Sequence, residues 1–587
     1  MIQRLLRNIG RDSGMALVSV IAVGAVLAIL VTAGVSYSLG GLNKASNDQD
    51  WNGALGAAYA GVEEYQSLLA ANSAYVRFGN AASEYTTPTD PDRVSTVTAP
   101  PETNPALGVG VTGTWATVAG SNGMAQYRYE VNNSTYDLDG AVTVRATGRV
   151  GDATRTIVAD LKQSGFVEYV YFTDLETKDP ESLTSKCNWY AWANPPRPSN
   201  CTNIVFDNND VINGDVHSND RMIICKATFN GRVTTEYNPA SIKKYSSDGC
   251  ASGNVPVFSQ GDPVYTGHIE MPPTNAQLKK EVRTDLTGSD VPNPGCLYTG
   301  PTSIVFTSDG KMKVRSPWTK STQVAGEPAA SGTAPSKCGS VADLKSTTGA
   351  SVAVPDNNVI FVQDVPEGGG NPNSWDWNTV SPGDGTTEDC KKDEKNNPVG
   401  YPKTNEKAGN DAYRCRNGDV FVQGVLNGKV TVASDNYVYV TGDLTYADAN
   451  DDVLGLVGQN AVYVWNPIDN QKNCLNNGAG QNYCNTNRTI QAAILSVGHT
   501  FTVQNYTEIG NRGELRMTGS IAQKYRGPVG TGTSTSISDG YKKVYAYDSR
   551  FKYTAPPKFL APLSTTYGVT TWIESVPAFD ADGSYRD

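Results

Sequence analysis

The longest apolar stretch of the chain lies close to its N-terminus. Residues 13–43 contain no charged side chain, and the apolar run from Met15 to Val35 is long enough to cross a bilayer at about 1.5 Å of rise per residue. The leader before it carries Arg4, Arg7 and Arg11 against Asp12, so we expect the leader to stay on the cytoplasmic side. This pattern predicts a membrane-inserted segment.

An amphipathic pattern follows the apolar run without an intervening proline, since the first proline is Pro88. Apolar residues recur at alternating intervals of four and three positions, which places them on one helical face. This assembly-helix stripe consists of Trp51, Leu55, Ala58, Val62, Tyr65 and Leu69. One helix from about Met15 to about Ala71 would be ~85 Å long.

Three kinds of insertion fit such a segment. A signal peptide cleaved after Ala33 is disfavoured because its apolar stretch is normally about 7 to 15 residues long, shorter than the one here. An uncleaved signal anchor is the simplest alternative. The third is a short leader removed just before the apolar run, at the bond between Gly14 and Met15.

Two segments carry a family resemblance: Ser13-Gly14-Met15-Ala16-Leu17-Val18, and Ala57-Ala58-Tyr59-Ala60-Gly61-Val62-Glu63-Glu64. Together with the basic leader they resemble the type IV pilin superfamily, and within it the minor-pilin branch of PilX-type proteins and the K pseudopilin of type II secretion. The resemblance implies that a prepilin peptidase cuts after Gly14 and that Met15 is the mature N-terminus. Most pilins have glutamate at the fifth mature position, where this chain has Ser19, a feature shared with tip-located pseudopilins.

The resemblance also implies partners and a location. The helix would bind other pilins, and the precursor would reside in the bacterial inner membrane before the protein reaches the cell surface in a pilus. A pilin head is a long helix on a small antiparallel sheet. Short strands at 126–131, 142–147 and 154–160, with a turn at Gly151-Asp152, fit that sheet.

Composition points to an exported β-rich body. The chain has 587 residues, so two or more domains are expected. Glycine (58 residues) and tyrosine (30) are abundant and only 18% of residues are charged, which is typical of turn-rich β structure. The formal charge of −11 and the absence of a Lys/Arg-rich run exclude a nucleic-acid footprint.

Similar short sequence segments recur beyond Phe166. An apolar-Asn-Gly-x-Val element occurs at 212–216, 229–233 and 426–430; residues 359–365 resemble 419–425, and 435–440 resemble 459–464. Short β-branched strands separated by Asn-Gly turns predict a parallel β-helix or related solenoid, in which each turn buries its apolar side chains only against its neighbours. Insertions at 265–350 and 365–415 interrupt the pattern. A β-sandwich is the alternative.

The predicted fold class is therefore α+β, with a pilin-like helix and small antiparallel sheet followed by a mainly β domain. The predicted segments are a leader (1–14), a transmembrane and amphipathic helix (15–78), a linker and pilin-like sheet (79–163), a large disulfide-braced β-repeat domain (164–560) and a C-terminal tail (561–587).

All ten cysteines follow the helix, and none forms a Cys-x-x-Cys pair. An even number fits a disulfide set formed in an oxidising compartment. Sequence alone leaves connectivity open, and we favour sequential pairing because each pair would bracket a loop-like stretch. Those pairs are Cys187–Cys201, Cys225–Cys250, Cys296–Cys338, Cys390–Cys415 and Cys474–Cys484.

Few residues offer catalytic or metal-binding chemistry. The densest polar cluster includes Asp207, Asp210, Asp215 and His217, and residues 215 and 217 would share one face of a strand. Asn-Gly-Asp turns are also common at solenoid corners. Asp448, Asn450 and Asp452 resemble the first half of a calcium loop, although the loop lacks the expected glycine and glutamate, so solvated acids are the simpler interpretation. No other cofactor is expected.

These observations favour a non-enzymatic protein: a large minor pilin that assembles through its helix and displays a β body for pilus assembly or priming, tip capping or adhesion. A surface polysaccharide or a host ligand would be the adhesion target. The first alternative is a membrane-anchored carbohydrate-active enzyme on a β-helix that uses the 207–217 cluster. The second is a secretion-system pseudopilin whose body contacts cargo.

Overall fold

The computed structural model describes residues 13–586 except 72, 87–94, 96, 135, 137–140, 164, 181–186, 208–209, 289, 377–396, 409–411, 477–482, 485–486, 533–535, 553 and 563–566. The chain divides into two compact units. Unit 1 comprises Met1–Tyr136, Ala141–Lys162 and Thr566–Asp587, and unit 2 comprises Asp137–Gly140 and Gln163–Thr565.

Unit 1 is a long helix on an antiparallel sheet. Its elements are α1 (Ser13–Ala71), 3-10 helices Ser73–Arg77, Glu84–Thr86 and Pro105–Leu107, and strands β1 (Ala116–Thr117), β2 (Ala125–Asn132), β3 (Ala141–Val150) and β4 (Ala153–Gln163). Gly151 has φ 56°, which glycine adopts readily, and Val150 pairs with Ala153 across the predicted turn. The sheet buries its apolar face against the C-terminal half of α1.

Unit 2 contains most of the strands, which range from two to fifteen residues in length. They are β5 (Tyr171–Leu175), β6 (Val205–Phe206), β7 (Val211–Asn213), β8 (Val216–Ser218), β9 (Ile223–Ile224), β10 (Thr228–Phe229), β11 (Val233–Thr235), β12 (Val257–Phe258), β13 (Val264–Tyr265), β14 (Cys296–Thr299), β15 (Thr302–Thr307), β16 (Lys311–Arg315), β17 (Gln323–Ala325), β18 (Ser331–Thr333), β19 (Ala350–Ala353), β20 (Asn358–Gln363), β21 (Val420–Leu426), β22 (Lys429–Ser434), β23 (Val438–Tyr446), β24 (Val453–Gly458), β25 (Val462–Val464), β26 (Arg488–Ser496), β27 (Phe501–Val503), β28 (Asn511–Tyr525), β29 (Gly530–Gly532) and β30 (Ile537–Tyr547). The helices are α2 (Val341–Lys345) and the 3-10 helices Phe166–Glu168, Ala276–Val282, Thr284–Leu286, Ser336–Cys338 and Ser549–Lys552.

Most of these strands stack in parallel, as in a β-solenoid. One ladder runs in the order β14, β20, β22, β24, β26, β28, β5, β8, β11 and β13. Other parallel ladders run through β15, β21, β23, β25 and β27, and through β28, β30, β7, β10 and β12. Because these ladders are parallel, the predicted alternative of a β-sandwich does not describe unit 2.

The stacking order differs from the chain order. The chain enters at β5 in the middle of the first ladder and winds out to β13, which we call the first section (residues 171–265). It then crosses to β14 at the opposite end and winds back through the second section (residues 296–547) until β28 pairs with β5. The first and last turns of unit 2 are therefore neighbours, and we call their junction the seam.

The ladder keeps one register throughout, which sorts its side chains into two continuous rows. The inward row is Cys296, Ile360, Val432, Leu456, Ile494, Ile521, Tyr171, Val216 and Val233, all part of one buried core. The outward row is also apolar over most of its length: Leu297, Phe361, Ala433, Val457, Leu495, Ala522 and Phe172. Because a continuous row of exposed apolar side chains is unusual on a soluble surface, we expect another segment to cover the outward row.

Residues 266–288 and 290–295 supply that cover and form a strap along the ladder. Met271, Leu278 and Val282 pack on the outward row. The strap is fixed by side-chain amides: Asn219 Nδ2 donates to the carbonyl of Ile269 at 2.8 Å, and Asn275 Nδ2 donates to Ser434 O at 2.7 Å. Much of the predicted 265–350 insertion therefore belongs to the core packing of unit 2.

The segment predicted as a tail is part of unit 1. It contains β31 (Tyr567–Ser575), the last strand in the order of the unit 1 sheet. The Arg128 guanidinium lies 3.5 Å from the Phe579 ring centroid and also donates to Gly583 O. Tyr585 Oη donates to the buried Glu130 carboxylate at 2.9 Å. These contacts attach the C-terminal residues to the sheet, which the tail prediction did not anticipate.

Candidate functional site

The assembly-helix stripe is divided between buried and exposed positions. Ala58, Val62, Tyr65 and Leu69 are at most 1% exposed and pack on the sheet of unit 1. Leu55 is partly buried against the same core, whereas Trp51 is 48% exposed. The greater part of this stripe therefore holds α1 to its own sheet. An assembly role remains a prediction for Trp51 and for the helix before it.

Small residues let α1 approach the sheet closely. A Cβ added at Gly148 of β3 would lie 2.1 Å from Ala54 O and 2.3 Å from Ala58 N, so the helix backbone touches the strand. A Cβ at Gly61 would meet the Tyr127 ring at 3.0 Å. The Ala- and Gly-rich segment on which the family resemblance depends therefore has a packing reason in this structure.

The N-terminal half of α1 presents apolar side chains to solvent. Ile21, Ile29 and Leu30 are 62%, 66% and 62% exposed, and Val23, Val26, Leu27 and Val31 are also exposed. In the described part of the chain, no helix meets the length and hydropathy needed to cross a membrane. Gly14, Met15 and Ser19 lie within α1, and their side chains are outside the described residues.

The predicted acid and histidine cluster does not converge on one point. His217 is fully buried; its Nδ1 lies 2.9 Å from Thr234 Oγ1 and its Nε2 lies 3.0 Å from Asn219 Oδ1. Burial lowers the pKa of His217 to about 4, so the ring is neutral near pH 7. Asp215 instead accepts from the Arg232 amide at 2.8 Å.

The other two acids of that cluster also have structural partners. Asp210 Oδ1 pairs with Lys543 Nζ at 2.9 Å, and Asp210 Oδ2 accepts from the Asp207 amide at 3.2 Å. Asp207 lies at a turn beside residues 208–209, which are outside the described residues. The arrangement fastens one turn of the solenoid to the next and brings no pair of carboxylates to a cleft.

The predicted calcium loop forms a turn stabilised by amides. Asp452 is buried, and its two carboxylate oxygens accept from Gly428 N at 2.7 Å and from Asp448 N at 2.6 Å. Asp448 Oδ1 accepts from Asn450 N at 2.8 Å. Among the residues that the structure describes, no three His, Cys, Asp or Glu side chains are grouped to hold a metal ion.

Four of the predicted disulfides are present: Cys187–Cys201, Cys225–Cys250, Cys296–Cys338 and Cys474–Cys484. Cys415 is also disulfide-bonded, and Cys390 lies outside the described residues. The loops closed by the four bridges separate their cysteines by 14, 25, 42 and 10 positions. The sequential pairing is thus confirmed for these four bridges, which fits folding in an oxidising compartment.

Two ion pairs at the seam involve residues that sequence analysis did not identify. Arg526 Nη1 lies 2.8 Å from Glu176 Oε2, and each side chain is only 1% exposed. Lys524 pairs with Asp174 at 2.9 Å. The two residues of each pair are 350 positions apart in the chain, so no local sequence pattern could have revealed the pairs.

Sequence analysis also did not identify a surface groove of unit 2. It has a volume of about 370 Å³ and is lined by Trp192, Glu236, Tyr237, Asn238, Pro239 and Tyr265. The available signal was the Trp189-Tyr190-Ala191-Trp192 run inside the loop bracketed by Cys187 and Cys201. Three aromatic side chains in so short a polar loop indicate a surface that is not simply solvated.

No family model matches the chain, and no curated protein matches it. A solved structure similar to it is the competence-associated pilin ComZ from Thermus thermophilus, at 11% sequence identity and a TM-score of 0.26. That match covers 90% of this chain and 97% of the pilin.

Proposed function

We propose that this chain is a pilin-like surface protein, which enters a fibre through α1 and displays unit 2 outward. The observation that carries the proposal is the contrast along α1. Its C-terminal half is buried on its own sheet, whereas residues 21–32 expose large apolar side chains that no described part of the chain covers. Such a surface needs an apolar environment, and neighbouring helices of a fibre would provide one.

The finer proposal is a minor pilin of the PilX type, present in few copies. Ser19 stands where most pilins of the resembling family carry glutamate. A serine hydroxyl can hydrogen-bond within its own helix, so Ser19 makes no demand for the terminal amine of a neighbour. We therefore place the protein at or near the fibre tip, where it would prime assembly, cap the fibre or adhere.

The proposed role is not enzymatic. Asp210, Asp215 and His217 each take part in contacts that hold adjacent turns together, as described above. Cleavage of a polysaccharide by the purified protein, abolished by Asp215→Asn, would contradict this part of the proposal.

Processing of the N-terminus tests the proposal most directly. We expect the mature protein to begin at Met15 and Gly14→Ala to accumulate as unprocessed precursor in the membrane, whereas Gly10→Ala, the matched leader control, should be processed normally. N-terminal sequencing and fibre immunoblots give the readout. A mature protein that begins at residue 34 would contradict the pilin proposal.

The position in the fibre is tested separately. Immunogold labelling of surface fibres with antibodies to unit 2 should mark fibre ends. Labelling spread evenly along the fibres would contradict tip placement and leave the assembly proposal standing.

A further inference from the structure

The aromatic groove of unit 2 has walls from three separate segments. Trp192 lies in the loop closed by Cys187 and Cys201, Tyr237 and Asn238 follow β11, and Tyr265 ends β13, the terminal strand of the first section. Its volume of about 370 Å³ lies within the range of about 300–1,000 Å³ that is usual for small-ligand sites. The groove is therefore large enough for a small ligand or one unit of a polymer.

The Trp192 ring is rigidly held although it is exposed. Its Nε1 donates to Asn219 O at 3.1 Å, and Tyr190 stacks against it at a centroid distance of 5.2 Å and an interplanar angle of 11°. The Ala191 amide donates to Asp220 at 2.8 Å, which fixes the loop backbone. Trp192 nevertheless remains 38% exposed and Tyr265 51% exposed. A fixed aromatic surface loses little conformational entropy when a ligand covers it.

The charged side chains around the groove are hydrogen-bonded within the protein. Glu236 Oε2 lies 2.7 Å from His268 Nδ1, and Lys244 Nζ donates to Asn238 Oδ1 at 2.6 Å and to Pro239 O at 3.0 Å. A carboxylate has two oxygens and an amide has two N–H donors, so Glu236 and Asn238 retain capacity for further hydrogen bonds. The groove thus offers apolar ring faces and hydrogen-bonding groups, and Glu236 is the charged residue in its lining.

We propose that this groove binds a neutral sugar unit of a polysaccharide. A pyranose has apolar C–H faces that match exposed ring faces, and hydroxyls around its edge that match the Glu236 and Asn238 side chains. An anionic polymer would need cations in the lining, which contains Glu236 and no lysine or arginine. A quaternary ammonium would favour a carboxylate that is not already hydrogen-bonded to His268. The inference deepens the proposed function, because it gives the displayed unit a ligand class.

Binding should be measured on the full-length chain in a detergent without a sugar headgroup. Neutral oligosaccharides on an array identify the best ligand, and calorimetric titration then gives its Kd. We expect Trp192→Ala to weaken binding about tenfold or more and Tyr265→Ala to weaken it as well. Trp192→Phe should retain most of the affinity because it keeps a ring.

Trp189→Ala is the matched control, since Trp189 lies in the same loop, is 47% exposed and does not line the groove. It should bind as the parent does, and each variant should keep the parent melting temperature. The inference is overturned if no neutral oligosaccharide binds, if Trp189→Ala and Trp192→Ala weaken binding equally, or if choline or a proline-rich peptide binds there instead. Fibre entry of Trp192→Ala distinguishes the two proposals: unchanged entry leaves the proposed function intact whatever the sugar result.

Discussion

The two sections of the solenoid in unit 2 differ in how their turns are held together. In the first section β8 and β11 have three residues each and β13 has two, so few ladder hydrogen bonds join the turns. In the second section β26 has nine residues and β28 has fifteen. On strand length alone, the turns of the first section would be held together much less stably than those of the second section.

Other contacts compensate in the first section. The loops 187–201 and 225–250 are each closed by a disulfide, and Arg197 forms a buried ion pair with Asp220. The seam adds the Arg526–Glu176 pair. The short strands of the first section therefore occur together with two disulfide-closed loops and with buried ion pairs, which hold the chain where ladder hydrogen bonds are few. Four experiments test this difference between the sections.

Breaking the seam should have the largest effect. Glu176→Leu leaves the Arg526 guanidinium buried without its partner, and removing one member of a buried pair costs about 3–5 kcal/mol. Urea unfolding of the full chain measures the loss. Lys311→Met, in an exposed pair with Asp309, should leave the unfolding midpoint nearly unchanged. A seam variant as stable as this control would contradict the role of the seam.

Removing disulfides should come next. The double change Cys225→Ala and Cys250→Ala opens a loop with a separation of 25 positions in the first section, and we expect a loss of about 2–4 kcal/mol. The same change at Cys474 and Cys484 opens a loop of only 10 positions and should cost less. Unfolding midpoints compared under non-reducing conditions decide the order. The reverse order would remove the contrast between the sections.

A buried acid gives the second section a pH dependence. Burial raises the pKa of Asp419 to about 8, although Asn436 donates to it at 2.7 Å. The unfolded value is about 3.9, so the stability that comes from protonated Asp419 is complete below about pH 4 and is lost as pH rises through about 8. Asp419→Asn should remove this loss and stabilise the protein at pH 8 by about 1–3 kcal/mol.

Unfolding midpoints measured from pH 4 to pH 8 test this expectation. Asp451→Asn changes an exposed acid of the same section, and its unfolding midpoint should depend on pH as that of the parent chain does. If the unfolding midpoint of Asp419→Asn falls with pH as steeply as that of the parent chain, another group causes the pH dependence.

Calcium should have the smallest effect. Both oxygens of Asp452 already accept amide hydrogen bonds, so added calcium should shift the melting temperature by no more than the scatter of repeated melts. A rise that Asp448→Asn abolishes would instead support a calcium site at this turn.

Local patterns in the sequence predicted the stacked turns correctly. The similarity between 435–440 and 459–464 corresponds to the pairing of Tyr439 with Tyr463. Two of the three Asn-Gly elements stack, with Ile212 beside Phe229. The similarity between 359–365 and 419–425 does not correspond to a strand pairing, because β20 and β21 belong to different ladders. A shared strand pattern reports burial on two faces and does not specify which strands are adjacent.

Long-range order was not accessible from the sequence. The seam joins residues about 350 positions apart, and the strap covers a row whose members come from seven different strands. The groove combines a loop aromatic with the end of a terminal strand, so its members share no spacing rule. Such features depend on which turns meet, and local periodicity carries no information about that order.

The seam also has an evolutionary consequence. Val167 and Phe551, near the two ends of unit 2, pack in one cluster, so its entry and exit points are close together. A unit with adjacent ends can be inserted into a loop of another fold without stretching its host. Unit 2 could therefore be exchanged for a different body through one crossover near each of its ends, while the unit 1 segments before and after it in the chain stayed unchanged.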